Sequence, residues 1–179
     1  MLTKNNTGLI IVDIQGKLAR MVHESEQLIA HCKQLITGAN ILDLPIIWLE
    51  QNPEKIGKTI NDISMLLTDQ TPITKYTFDA CENPSFMKAV SDANINHWLI
   101  CGIEAHICVY QSALHLQQSG YSVQLVSDCI SSRSLNNKEL AVNKLISRGV
   151  DITSVEMCLF ELVKDCRANE FKEILQLIR

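Results

Sequence analysis

The stretch that decides how this chain reads is LICGIEAHICVYQSALHL, Leu99 to Leu116. Its first half, continuing HWLICG, is a short apolar run ending at Gly102, which suits a central strand buried on both faces. Its second half carries Ile107, Tyr110, Ala113 and Leu114 at helical spacing and stops at Gly120, a natural left-handed cap. Cys108 therefore falls in the predicted first turn of a helix, where unpaired backbone N–H groups favour an anion and push a thiol of ordinary pKa, about 8.5, toward thiolate. A small buried cysteine packing a helix is the plainer reading, and position alone does not separate the two.

Working outward, TGLIIVD, Thr7 to Asp13, is an almost continuous apolar segment ending in a carboxylate, as expected of a buried parallel strand. Leu28, Cys32, Leu35, Ile36 and Ala39 mark a helix face after it, with Ser25 as the expected N-cap. PIIWLE, from Pro45 to Glu50, is the next strand. This βαβ order requires a parallel sheet. Residues 51–74 read as loop, short helix and loop, with an extended piece at Ile73 to Lys75. Asn83 and Pro84 open a helix through about Asp92.

After the Cys108 helix, Tyr121 to Asp128 reads as a strand, and Asn136 or Asn137 as the cap of a helix carrying Ala141, Val142, Leu145 and Ile146. VDITS forms a short strand, and Phe171, Ile174, Leu175 and Ile178 give the last helix its apolar face. The expected architecture is α/β: one domain over residues 1–179, a three-layer αβα sandwich around a Rossmann-like parallel sheet of about six strands.

Composition excludes several classes. The net charge of −4 and the absence of any Lys/Arg cluster argue against a nucleic-acid partner. GLIIV, broken by Asp13, is too short for a signal peptide or a membrane span, so the expectation is a cytoplasmic protein without a membrane partner. Seven cysteines without CxxC or Cys/His metal spacing read as free thiols.

In open parallel sheets ligands collect beyond the carboxyl ends of the strands. Asp13, Glu50 with Gln51, and Gly102 to Cys108 lie there, so acid and thiol can share one crevice. A carboxylate can take a thiol's proton, yet its charge also disfavours thiolate, and a cation should balance the two.

VDIQ around Asp13, ITKYTFDAC around Lys75 and ICGIEAHICV ending beyond Cys108 resemble three signature segments of the isochorismatase-like cysteine hydrolases. SDCISSRS and SVEMCLFELV extend the resemblance nearly end to end, and EQNPEKIG is similar to the isochorismatase domain-containing subgroup. The resemblance implies Cys108 as nucleophile, Asp13 as general base and acid, and Lys75 as their cationic partner. It further implies a cis peptide between Ile103 and Glu104, with the Glu104 and Cys108 N–H groups forming an oxyanion hole. WLEQNPEKIG lacks the histidines that hold a metal in related nicotinamidases, so neither metal nor cofactor is expected.

The expected reaction is hydrolysis of a small amide-type C–N bond through a thioester. A non-catalytic interaction protein that keeps the fold, and a hydrolase of an enol ether or ester, stay open. Gln15, Glu50, Phe78 and Tyr110 are candidate substrate-binding residues, the last two equally readable as core. His106 reads as a rim histidine. Relatives in the resembled family are commonly oligomeric, which implies a homo-oligomer.

Overall fold

A computed structural model describes residues 1–179. Six strands form one sheet: β1 (Thr7–Val12), β2 (Ile46–Gln51), β3 (Ile73–Lys75), β4 (His97–Ile103), β5 (Ser122–Ser131) and β6 (Asp151–Thr153). Their order is β3-β2-β1-β4-β5-β6, and every pairing is parallel. The chain is thus wound outward from β1 in both directions. The reversal between β1 and β4 leaves a crevice at their carboxyl ends, between Asp13 and the segment after Ile103.

Strand alternation separates the core into two layers. Leu9 and Ile11 of β1, with Leu99, Cys101 and Ile103 of β4, pack beneath α1 (Ser25–Ile41), α7 (Val155–Val163) and α8 (Phe171–Ile178). Ile10, Val12 and Ile100 face the opposite way, beneath α4 (Pro84–Asp92), α5 (Tyr110–Gln118) and α6 (Leu135–Ile146). Because β1 and β4 are covered on both faces, their continuous apolar runs are what the packing requires. Two single-turn helices, α2 (Pro53–Ile56) and α3 (Asn61–Ser64), occupy the connection from β2 to β3.

Several local expectations are corrected. Helix α1 is preceded by Glu24 in a left-handed conformation, with no side-chain cap, so Ser25 is its first residue. Helix α6 begins at Leu135 behind Ser134 and takes in Asn136 and Asn137. Strand β5 continues three residues past Asp128, whose carboxylate instead accepts from the Val155 N–H at the start of α7. Cys108 does not lie in an α-helical first turn: residues Ala105–Val109 form a π-helical turn, and α5 begins only at Tyr110.

Gly102 has a required conformation. Its φ is +125°, and a Cβ there would stand 2.0 Å from the Val12 carbonyl oxygen. Only glycine lets β4 run this close to β1 just before the π-helical turn.

Candidate active site

Asp13 is the first residue beyond β1 and adopts φ +51°, a left-handed turn uncommon for a non-glycine residue. Its carboxylate is buried. Lys75, the last residue of β3, is fully buried as well, and its ammonium donates to Asp13 Oδ2 at 2.7 Å. Two further acceptors hold the ammonium: Gln51 Oε1 at 2.7 Å and the Thr77 carbonyl at 3.3 Å. A buried cation with three oxygen partners is satisfied, and it fixes Asp13 by one oxygen only. Asp13 Oδ1 has no hydrogen-bond partner.

The Cys108 thiol lies beside this ion pair and feels both charges, while forming no full hydrogen bond to the free oxygen. Burial, then the negative Asp13, push the thiol up to about 12, with Lys75 pulling against them. Burial likewise lifts the Asp13 carboxyl above its ordinary value, against the pull of Lys75. The thiolate expected from a helix terminus is therefore replaced by a neutral resting thiol. Desolvation outweighs the partial charge of the turn.

A cavity of about 190 Å³ opens on this group. Asp13, Gln51, Glu104 and Cys108 reach it, and Leu18, Ile56, Phe78, Ile103 and Ile107 make its walls mostly apolar. The Ile103–Glu104 peptide is cis. Glu104 is anchored from behind: its Oε1 accepts from both the backbone N–H and the Nε of Arg133, each at 3.0 Å. Against the cost of burial, these Arg133 contacts hold the Glu104 carboxyl below its ordinary range.

Among the sequence candidates, Asp13, Ile103, Glu104, Cys108 and Phe78 line one cavity; Lys75 is joined to it only through its contact with Asp13, and three others also lie outside the lining. Gln15 is fully buried and braces the crevice from below. Its amide donates to the carbonyls of Gln51 and Gly57 and accepts from the Gln51 N–H at 2.6 Å. Glu50 is buried on the other side of β2, accepting from the Thr59 N–H at 2.6 Å. Tyr110 borders a separate hollow, with the Lys144 ammonium 5.1 Å from its ring centre.

Of Glu50 and Gln51, both placed at the carboxyl end of β2 by the sequence, Gln51 is the one that lines the cavity, as strand alternation requires. Leu49 packs in the same layer as Val12, so the residue two further on shares that side, and Glu50 does not. Leu18 and Ile56 sit on turns whose sequence carries no comparable signal. His106 donates to or accepts from Ser132 Oγ at 2.9 Å and is absent from the cavity lining.

A model of the isochorismatase domain matches residues 7–157. Isochorismatase family protein 1A of Dictyostelium discoideum is 33% identical over 184 residues, covering 98% of this chain and 87% of its own. The structure of the MAR1 ribonuclease of Caenorhabditis elegans superposes with a TM-score of 0.93 at 31% identity, covering 99% of this chain and 91% of that one. The YcaC gene product of Escherichia coli, an octameric hydrolase of unknown specificity, gives a TM-score of 0.94 at 23% identity over 99% and 88% of the two chains.

Proposed function

This chain belongs to the isochorismatase family of hydrolases, and from that premise we propose that it cleaves a small amide-type C–N bond by covalent catalysis at Cys108, without a metal ion. The observation that carries this reading is the unpartnered Asp13 Oδ1, buried beside a neutral thiol in a mostly apolar cavity open to solvent. An acceptor kept free of other donors, on a carboxylate whose proton affinity is raised, is suited to take a thiol's proton at the moment of attack.

In the proposed sequence, a substrate carbonyl enters above Cys108, Sγ attacks the carbonyl carbon, and the thiol proton passes to Asp13. The backbone N–H groups of Glu104 and Cys108 bind the developing oxyanion. Collapse breaks the C–N bond, and Asp13 gives its proton to the departing nitrogen. Water then adds to the thioester with Asp13 again accepting a proton, releasing the acid and restoring the thiol. Lys75 holds the carboxylate in place throughout, and Gln51 holds Lys75.

The wall residues indicate the acyl part. Five aliphatic or aromatic side chains face the cavity, and its charged lining groups are the carboxylates Asp13 and Glu104. A neutral, compact acyl group fits this lining, whereas an anionic substrate meets like charge. For the same reason the ribonuclease name of the Caenorhabditis elegans relative does not transfer readily, since a phosphodiester carries negative charge. The octameric Escherichia coli neighbour supports self-association of this chain too.

The test is hydrolysis of a panel of short neutral aliphatic and aromatic amides, followed by amine release. Turnover of at least one by the native protein and none by Cys108→Ala is the expected result. Turnover that survives Cys108→Ala removes the covalent route. A complete lack of turnover across amides, together with hydrolysis of matched esters or enol ethers, moves the reading to that substrate class.

A further inference from the structure

A second cluster of reactive side chains lies behind the candidate active site and takes no part in the reaction proposed above. Asp79 follows β3 on the loop that also carries Thr77 and Phe78, Cys81 lies two residues on, and His115 projects from α5. One potential ligand atom from each of the three lies within 4.8 Å of the others. The His115 ring donates from Nδ1 to Asp79 Oδ2 at 2.8 Å, and the other carboxylate oxygen accepts from the Cys81 N–H at 2.9 Å. The Cys81 thiol itself has only a long contact, 3.7 Å, to the Ser112 carbonyl.

We propose that Asp79, Cys81 and His115 form a zinc-binding site. One thiolate, one imidazole and one carboxylate are the donor mixture zinc takes, and ligand atoms around a tetrahedral ion at about 2.0–2.3 Å stand some 3.5 Å apart, within reach of this cluster by small side-chain rotations. A soft thiolate beside imidazole selects against magnesium and calcium, which take oxygen ligands. No lysine or arginine lines the adjoining hollow.

That hollow, of about 230 Å³, is bordered by Asp79, Tyr110, Gln111, Leu114, His115 and Gln118, and it gives water or a small ligand access to the fourth coordination position. Cys81 and Asp79 are mostly shielded, and the His115 side chain is 40% exposed, so the ion has an entry path from solvent.

The consequence of occupancy is mechanical. The segment from Thr77 to Cys81 includes the carbonyl that holds Lys75 and the Phe78 ring that walls the active-site cavity. His115 belongs to the helix that follows Cys108. A zinc ion would staple this loop to that helix, joining the supports of Lys75 and Cys108 by a bond outside the reaction centre.

The experiment is competition for zinc between the reduced, metal-stripped full chain and a chromophoric chelator, with cobalt substitution as the spectroscopic probe. Expected are one zinc per chain, a thiolate-to-cobalt charge-transfer band, and a rise of roughly 5–10 °C in Tm at zinc 100-fold above its Kd. Cys81→Ser abolishes the band, and His115→Ala, at the more exposed position, weakens zinc binding at least 100-fold while circular dichroism shows a folded protein. Cys108→Ala and Cys166→Ser bind as the native chain does, which separates this site from the reaction centre and from the exposed thiol. Binding lost with Cys166→Ser or Cys108→Ala, binding indifferent to His115→Ala, or no zinc retained against the chelator overturns the proposal.

Discussion

Replacing Lys75 by methionine removes the cation from a fully buried position while keeping most of its length and apolar stem. Three acceptors lose their donor: Asp13 Oδ2, Gln51 Oε1 and the Thr77 carbonyl. Breaking one side of a buried ion pair costs about 3–5 kcal/mol if the remaining charge stays. Asp13 has an escape, which is to take up a proton. At pH 7 that costs about 4 kcal/mol relative to an unfolded carboxyl of pKa about 3.9, three pH units at about 1.4 kcal/mol each. Part of this cost is already present in the native protein, because burial raises Asp13 there too. The expected loss at pH 7 is therefore about 2–4 kcal/mol.

The pH dependence carries the sign. In Lys75→Met the folded-state pKa of Asp13 rises further above its unfolded value, so the folded state is unpenalised below pH about 4 and loses stability as pH climbs toward the raised pKa. The deficit against the native protein should widen with pH by up to about 1.4 kcal/mol per unit. Urea unfolding of both proteins at pH 5 and pH 7.5 reads this directly. Asp13→Asn combined with Lys75→Met should be less destabilised than the two single losses summed, since it leaves no uncompensated charge. An equal deficit at both pH values, with additive single and double variants, would refute the claim that Lys75 is there to hold a buried Asp13 charge.

Gly102→Ala should destabilise the fold by at least about 3 kcal/mol, or prevent folding, because its Cβ would meet the Val12 carbonyl at 2.0 Å in a backbone conformation unfavourable to alanine; a urea midpoint near that of the native chain contradicts the close approach of β4 to β1. Gln15→Leu leaves the Gln51 N–H and the Gly57 carbonyl without their partner, and a loss of about 1–3 kcal/mol in denaturant unfolding is expected. Iodoacetamide should label Cys108 slowly at neutral pH and faster as pH rises without a plateau below pH 9, since burial and Asp13 hold the thiol up to about 12. Peptide mass spectrometry showing full-rate labelling at pH 7 would instead mean a resting thiolate.

Much of the architecture was legible because its signals are local. The apolar runs of β1 and β4 and the Asn83–Pro84 start of α4, where Asn83 Oδ1 accepts from the Ser85 and Phe86 N–H groups, follow from rules a few residues long. Helix α7 escaped because the exposed Met157 and half-buried Phe160 interrupt its polar side and blur the helical spacing of the buried Val155, Cys158, Leu159, Leu162 and Val163. The start of α6 was misplaced for another reason: SRSLNN offers several polar caps, and Leu135, itself exposed, adds no packing signal to choose among them.

At the site, the carboxyl ends of β1, β2 and β4 pointed to the crevice, whereas Lys75 carried no signal of its own and entered by family resemblance. The neutral state of Cys108 was not legible at all. It depends on how deeply the π-helical turn is covered and on the distance to Asp13, both products of tertiary packing.

The central claim is that Cys108 becomes covalently acylated with Asp13 as proton acceptor, and acid-quenched mass spectrometry of the protein mixed with a turned-over neutral amide tests it most directly. The account predicts a mass increase equal to the acyl group, mapped to the Cys108 peptide, absent from Cys108→Ala and slow to form in Asp13→Asn. Hydrolysis that proceeds with no adduct on Cys108 at any quench time, and at an undiminished rate in Asp13→Asn, would contradict it.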